Sequence, residues 1–225
     1  MTRDELARMI DHSVLKPDAV VRDLVAGADV VRACRIGYYC IQPCWVALAA
    51  EQLSGIDARI VSVIAFPHGC DRSVVKARAA VAAVNDGATE IDMVMAFGLL
   101  KSGDARGVED DIRTVVEAVA GVSVKVILET ALLSDDEKRL ACHIARDAGA
   151  AFVKTSTGFH PAGGATVADV RLMRASVGAD FGVKASGGIR SLALALAMID
   201  AGANRIGASA SAEILASLNQ EPGEA

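Results

Sequence analysis

Short runs rich in β-branched and aliphatic residues alternate along the chain with longer Ala/Leu/Val segments whose charges fall at helical spacing. The clearest strand-like runs are 59–65 (RIVSVIA), 90–95 (EIDMVM), 123–129 (SVKVILE), 151–156 (AFVKTS) and 181–186 (FGVKAS). Weaker ones at 10–14 (IDHSV), 38–41 (YYCI) and 204–207 (NRIG) bring the number to eight. Helical patterns fill 19–34, 45–53, 73–85, 109–119, 135–148, 167–176 and 192–200. Ser134 with Glu137, and Thr166 with Asp169, have the spacing of an N-cap followed by an acid that can reach back to it. Gly149, Gly178 and Gly202 stand where left-handed helix ends are expected.

Eight strands in 225 residues leave about 28 residues per repeat, near the ~30 that a βαβ unit needs. Right-handed crossovers of that length can wind an open sheet or close a barrel. Polar residues recurring inside otherwise apolar strands favour the closed form, because one parity of each barrel strand points inward. Alternation puts Ile91, Met93 and Met95 on one face and Glu90, Asp92 and Val94 on the other, and it likewise singles out Lys154 and Lys184. The helix-facing side must be apolar, so Asp92, Lys154 and Lys184 are assigned to the lumen. The expected architecture is α/β: a single-domain (β/α)8 TIM barrel over 1–225 with a short N-terminal helix.

Composition narrows this picture. Hydrophobic residues make up 52% and aromatic residues only 4%, so the chain can bury a large aliphatic core, as a parallel sheet covered by helices requires. A net charge of −5 argues against a broad nucleic-acid surface, although one small basic pocket could sit within an acidic average. Cys34, Cys40, Cys44, Cys70 and Cys142 form neither an even framework nor a paired zinc pattern and read as thiols in a reducing compartment. The acidic start, MTRDEL, does not resemble a secretion signal, and no apolar run is long enough to span a membrane. A cytoplasmic protein that binds neither nucleic acid nor membrane is the expectation.

Lys154 and Lys184 lie 30 residues apart, one repeat, and should stand at similar heights on adjacent strands. Mutual repulsion and burial both lower the pKa of a lysine from ~10.4 toward the ~7 to 8 that yields a neutral amine. A desolvated lysine beside a second cation suits a Schiff-base nucleophile, and Asp92 adds a proton acceptor. A structural Asp–Lys ion pair filling the barrel would show the same pattern. Glycine-containing corners at Thr157-Gly158, Gly187-Gly188 and Gly207-Ala208-Ser209 end the late strands, where barrels often bind phosphate through backbone N–H groups, and Arg190 and Ser209 could add a charge and a hydroxyl. Each could equally be an ordinary turn. The stretch 158–165 (GFHPAGGA) is placed like an active-site loop. His12 and His68 could both reach the barrel mouth, but with His143 in a helix and His160 in the loop no tight metal cluster is visible.

The runs 11–17 (DHSVLKP), 90–95 (EIDMVM), 125–130 (KVILET), 152–159 (FVKTSTGF) and 183–190 (VKASGGIR) resemble the motifs of the deoxyribose-phosphate aldolase family, in order and over residues 10 to about 211. The resemblance implies a class I aldolase on a (β/α)8 barrel, without metal or cofactor, that cleaves 2-deoxy-D-ribose 5-phosphate to acetaldehyde and D-glyceraldehyde 3-phosphate. By motif, Lys154 would form the Schiff base, Lys184 would keep it neutral and share proton transfer, and Asp92 would be the acid/base. Thr157, Gly158, Gly187, Gly188, Gly207 and Ser209 would hold the phosphate, and Cys40 would lie near the substrate. Partners would be a sugar phosphate and aldehydes, with a homo-oligomer left open. Departures from the family pattern are Ala96 in place of Asn, Ala65 in place of Gly, His68 in place of a small or apolar residue, Ala210 in place of a second serine, and a tail, 219–225, without a terminal tyrosine. Two rival readings are a metal-free isomerase or lyase using Asp92 alone, and a silent phosphometabolite-binding protein.

Overall fold

The computed structural model describes residues 1–218; the tail 219–225, with its missing tyrosine, lies outside them. Eight parallel strands close into a barrel in sequence order: β1 (Ile10–Val14), β2 (Tyr38–Ile41), β3 (Arg59–Ile64), β4 (Glu90–Val94), β5 (Ser123–Ile127), β6 (Phe152–Lys154), β7 (Gly182–Ser186) and β8 (Arg205–Ala208). Among the described residues ten α-helices surround it: α1 (Arg3–Met9), α2 (Val21–Cys34), α3 (Val46–Gln52), α4 (Ser73–Asn85), α5 (Phe97–Lys101), α6 (Ala105–Ala118), α7 (Asp135–Asp147), α8 (Val167–Val177), α9 (Leu192–Asp200) and α10 (Ser211–Ser217).

All eight expected strands are present. The sixth is shorter than its apolar run, ending at Lys154, where the chain turns into the loop that follows. Helix α6 begins four residues ahead of the expected 109, because Asp104 caps it by accepting from Gly107 N at 2.8 Å. Helices α5 and α10 had no counterpart in the periodic reading; both are too short to show a repeat. Ser134 and Glu137 form the reciprocal capping box, and Thr166 accepts from Asp169 N. Gly149, Gly178 and Gly202 all have positive φ, but Gly178, at φ 85° and ψ 179°, lies outside the αL helix-end conformation and is open to glycine alone.

Two apolar clusters follow from strand alternation. The larger lies between the sheet and the helices, and the smaller, Leu15, Cys40, Val61 and Val63 with Tyr38 and Phe66, lines the β2–β3 side of the lumen. The lumen charges, Asp11, Glu90, Asp92, Lys125, Lys154, Lys184 and Arg205, come from the other strands. Inward residues stack in layers contributed by alternate strands, the arrangement expected of this barrel. The register sets Tyr38, Glu90, Phe152 and Arg205 at the bottom, then Asp11, Val61, Lys125 and Lys184, then Cys40, Asp92, Lys154 and Gly207 nearest the C-terminal mouth.

Candidate active site

Lys154 and Lys184 are register partners on β6 and β7, so the one-repeat spacing does place them side by side. Their Nζ atoms converge on a single oxygen: Asp92 Oδ2 accepts from Lys154 at 2.8 Å and from Lys184 at 2.7 Å. Asp92 Oδ1 accepts from Lys125 at 2.8 Å. Cys40 Sγ lies 4.0 Å from Asp92 Oδ2. These groups are buried almost completely, with Asp92 and Lys184 at 0% and Lys154 at 2% exposure.

Electrostatics assigns Lys184 the role of the charged partner. Repulsion between the two ammonium groups was expected to lower a lysine here, and burial does disfavour the charge of Lys184, but Asp11, Asp92 and Cys40 outweigh it and hold this ammonium well above the ordinary lysine range. Asp92 is likewise desolvated, yet Lys125, Lys154 and Lys184 hold its carboxyl well below the usual range. Asp11, buried against Lys184, Lys125 and Arg205, is also lowered. Burial pushes the Cys40 thiol up to about 11, which leaves it neutral.

Gly207 is placed by Lys184. A Cβ there would come within 3.2 Å of Lys184 Cε and 2.8 Å of Ser186 Cβ, so the glycine leaves room for the lysine stem in the top layer. Above it, the corners after β6 and β7 lock together. Gly187 has φ 93°, and a Cβ on it would stand 3.0 Å from Gly164 Cα and 3.4 Å from Gly158 Cα, while Ala165 N donates to Gly187 O at 3.0 Å. Only glycine permits both the conformation and the approach. Gly158 and Gly188 also have positive φ and are exposed at the rim, as are Ser209 and Arg190. Thr157 is buried: its Oγ1 donates to Glu129 Oε2 at 2.5 Å, and its N–H points at both Glu129 oxygens at 3.3 Å. Phe159 meets Phe66 edge-on, ring centroids 5.2 Å apart, where the loop 158–165 crosses the mouth.

His12 does not reach the mouth. It faces outward from β1, stacks on Tyr39 and contacts Ser211 Oγ at 3.1 Å through Nδ1, because Asp11 takes the inward position of that strand. His68 is exposed on the loop after β3. Among the described residues no group of three His, Cys, Asp or Glu is arranged to hold a metal.

Three charged residues of the lumen, Asp11, Lys125 and Arg205, escaped the sequence reading, and Glu90, though placed on the Asp92 face, was given no role. Glu90 accepts from Lys125 at 2.5 Å and from Arg205 at 3.2 Å, and Arg205 also donates to Asp11 at 3.0 Å. Lys125 could have been found, since it alternates with Val124 and Val126 as Asp92 does with its neighbours. Glu129 could not, because its backbone is left-handed at φ 55° and outside the strand period. Ser156, on the Lys154 face of the chain two residues on, keeps a buried hydroxyl without a protein partner.

A closed (β/α)8 barrel that sets a buried lysine and carboxylate, Lys154 and Asp92, in the layer nearest the C-terminal mouth belongs to the barrel enzymes, which react at that face. The family model of the DeoC/LacD family aldolases matches residues 4–216, and the chain belongs to that family. It is 51% identical over 218 residues to deoxyribose-phosphate aldolase 1 of Bacillus licheniformis, covering 96% of this chain and 97% of that one. It is 51% identical to the deoxyribose-phosphate aldolase of Enterococcus faecalis over 96% and 99% of the two chains. The tetrameric deoxyribose phosphate aldolase of Aeropyrum pernix superposes with a TM-score of 0.91 at 31% identity, covering 97% of this chain and 93% of that chain.

Proposed function

We propose that the chain is a class I aldolase that reversibly cleaves 2-deoxy-D-ribose 5-phosphate to acetaldehyde and D-glyceraldehyde 3-phosphate, with Lys154 forming the Schiff base. The observation that carries the reading is the shared oxygen, Asp92 Oδ2, between the Nζ atoms of Lys154 and Lys184. It sets a candidate nucleophile, a carboxylate and a fixed ammonium within one proton transfer of each other.

On this reading the Lys154 amine attacks the C1 aldehyde of the open-chain sugar and loses water to give a protonated imine. Asp92 with Lys184 takes the C3 hydroxyl proton; the C2–C3 bond breaks, its electron pair moving into the imine, and glyceraldehyde 3-phosphate leaves. The resulting enamine is protonated at carbon by the same pair, and water releases acetaldehyde. Lys184, held as an ammonium, supplies the proton and a positive field instead of serving as a second base. The phosphate would rest against the rim made by Gly158, Gly187, Gly188 and Ser209, with Thr157 fixed by Glu129 beneath it. Ser156 offers a free hydroxyl to the sugar. No metal or cofactor enters these steps. Five free thiols and an acidic chain fit a cytoplasmic setting, and the tetrameric relative of Aeropyrum pernix supports a homo-oligomer.

Treating the protein with acetaldehyde and borohydride should add ~28 Da at Lys154 as an ethyl amine. An adduct confined to surface lysines, or none, overturns the reading. Acetaldehyde release from deoxyribose 5-phosphate should exceed that from deoxyribose and from ribose 5-phosphate.

A further inference from the structure

The lumen charges form a closed ring. Going round it, Asp92 binds Lys125, Lys125 binds Glu90, Glu90 binds Arg205, Arg205 binds Asp11, Asp11 binds Lys184, and Lys184 returns to Asp92. The three carboxylates and three cations alternate, and every member has two partners of opposite sign. The ring is therefore neutral and self-satisfied, the condition under which buried charges persist. Lys154 is the seventh group, attached only through Asp92 Oδ2, which Lys184 already occupies.

We propose that Glu90 and Arg205, at the floor of the barrel and out of reach of any substrate at the mouth, are positioning residues that complete this balance and so make Lys154 the odd cation, the one amine the lumen gives up as a neutral nucleophile. The inference rests on the Schiff-base reading above. Glu90 and Arg205 act on Lys154 through the ring: Glu90 by way of Lys125 and Asp92, Arg205 by way of Asp11 and Lys184. Arg205 is fixed within its own layer, its guanidinium stacked 3.3 Å over the Tyr38 ring and 5.4 Å from that of Phe152.

The groups around Lys154 are few. Asp92 faces it from β4, Lys184 from β7, Lys125 from β5 and Cys40 from β2, with Asp11 on β1 one partner further off. The Cys40 thiol is neutral and drops out of the count. Glu129, the carboxylate of the adjoining loop, is tied to Thr157. Arg59 approaches Glu90 at 3.7 Å from outside, but its side chain is 62% exposed and its charge is screened by water.

Two variants change the sum in opposite directions. Glu90→Gln removes a negative charge, leaves a larger positive surplus and should move the acid limb of the kcat/KM–pH profile to lower pH by about one unit. Arg205→Met removes a positive charge, retains the proton on Lys154 and should move the limb up by a similar amount, cutting kcat/KM near neutrality roughly tenfold. The double variant restores the sum and should return the limb to its original place. Arg205→Lys and Glu90→Asp keep both sum and fold and should leave the limb where it is. A merely structural role would lower activity evenly across pH. Limbs that move the same way or not at all in the first two variants, or a limb displaced by more than half a unit in the charge-conserving ones, overturn the inference. Borohydride trapping on every variant separates the two levels. Label absent from Lys154 in the unaltered enzyme sinks the Schiff-base reading, whereas label at Lys154 without opposed shifts sinks the ring alone.

Discussion

Two regions of the molecule bury lysine beside carboxylate, and they differ in stoichiometry. Between α4 and α6, Lys76 donates to Asp111 Oδ2 at 2.6 Å and to Val94 O at 2.9 Å, all sealed from water. One cation meets one anion and a carbonyl, which leaves no group free to react. In the lumen four cations, Lys125, Lys154, Lys184 and Arg205, share three carboxylates. Burial is equal in the two places, so burial does not mark the active site. The unmatched lysine does, together with its position in the layer nearest the mouth.

The sharpest way to break the comparison is to remove the unmatched lysine. Lys154→Met should lower kcat by on the order of 10⁴-fold or more, as loss of a covalent nucleophile does, while thermal stability holds or rises because the remaining ring is balanced. Turnover within tenfold of the unaltered enzyme, measured as acetaldehyde release, would favour a lyase that uses Asp92 as a base without a Schiff base. The matched pair should behave the other way. Asp111→Ala strands the Lys76 charge and should cost ~3 to 5 kcal/mol in urea denaturation, with kcat per folded molecule retained. Replacing both partners, Lys76→Met with Asp111→Leu, should recover most of the loss, since a buried pair is worth little more than an apolar one.

A third buried group is governed by burial, with the charge of Glu213 opposing it. His12, between Tyr39 and Ser211, is kept neutral chiefly by burial, its pKa lowered from 6.5 to about 4. A depressed folded-state value means that the stabilisation is complete above the unfolded value of 6.5 and is lost as pH falls toward 4. The protein should accordingly lose up to about 3 kcal/mol across that interval, and His12→Phe should flatten the slope. The lowered carboxyls of Asp11 and Asp92 contribute only below their ordinary range near 4, so denaturation curves at pH 7, 6 and 5 isolate the histidine. A slope unchanged in His12→Phe would place the acid sensitivity elsewhere.

The parts of this architecture that were legible in the sequence are those governed by a period. Alternation in β4, β6 and β7 found Asp92, Lys154 and Lys184 and assigned them to the lumen. The repeat length set Lys154 beside Lys184. What escaped depends on which residues meet across the barrel, which a single strand cannot reveal. Glu90 was placed on the Asp92 face but its partner, Arg205, is 115 residues away, and Asp11 meets Arg205 across 194. For the same reason the carboxylate that holds Lys184 as an ammonium was not visible: its neighbour Lys154 lies one repeat away, whereas Asp11 is 173 residues away. His12 was misplaced because DHS carries polar residues on both parities, Asp11 and Ser13 on one and His12 on the other, and only the register with β8 shows that Asp11 takes the inside.

The smallest effect separates strain that is offset from strain that is not. Ala65 and Glu129 end β3 and β5 regions in the left-handed conformation, at φ 53° and 55°. For an ordinary residue that conformation costs ~1 to 2 kcal/mol. Glu129 is held there by the hydroxyl and N–H of Thr157, whereas Ala65 has no side-chain partner to hold it and contributes only its carbonyl, which accepts from Gly69 N at 2.7 Å. Ala65→Gly relieves the clash of Cβ but widens the unfolded ensemble, so the net gain should be about 0.5 to 1 kcal/mol by chemical denaturation. Glu129→Gly removes the same clash together with the carboxylate that fixes Thr157, so it should destabilise the protein and raise KM for deoxyribose 5-phosphate. If both glycine variants stabilise equally, the Glu129–Thr157 contact contributes nothing to the mouth. If only Ala65→Gly does, the strain at Glu129 is maintained by the loop beside Lys154, and the comparison between a matched group and an unmatched one extends from side-chain charge to the backbone.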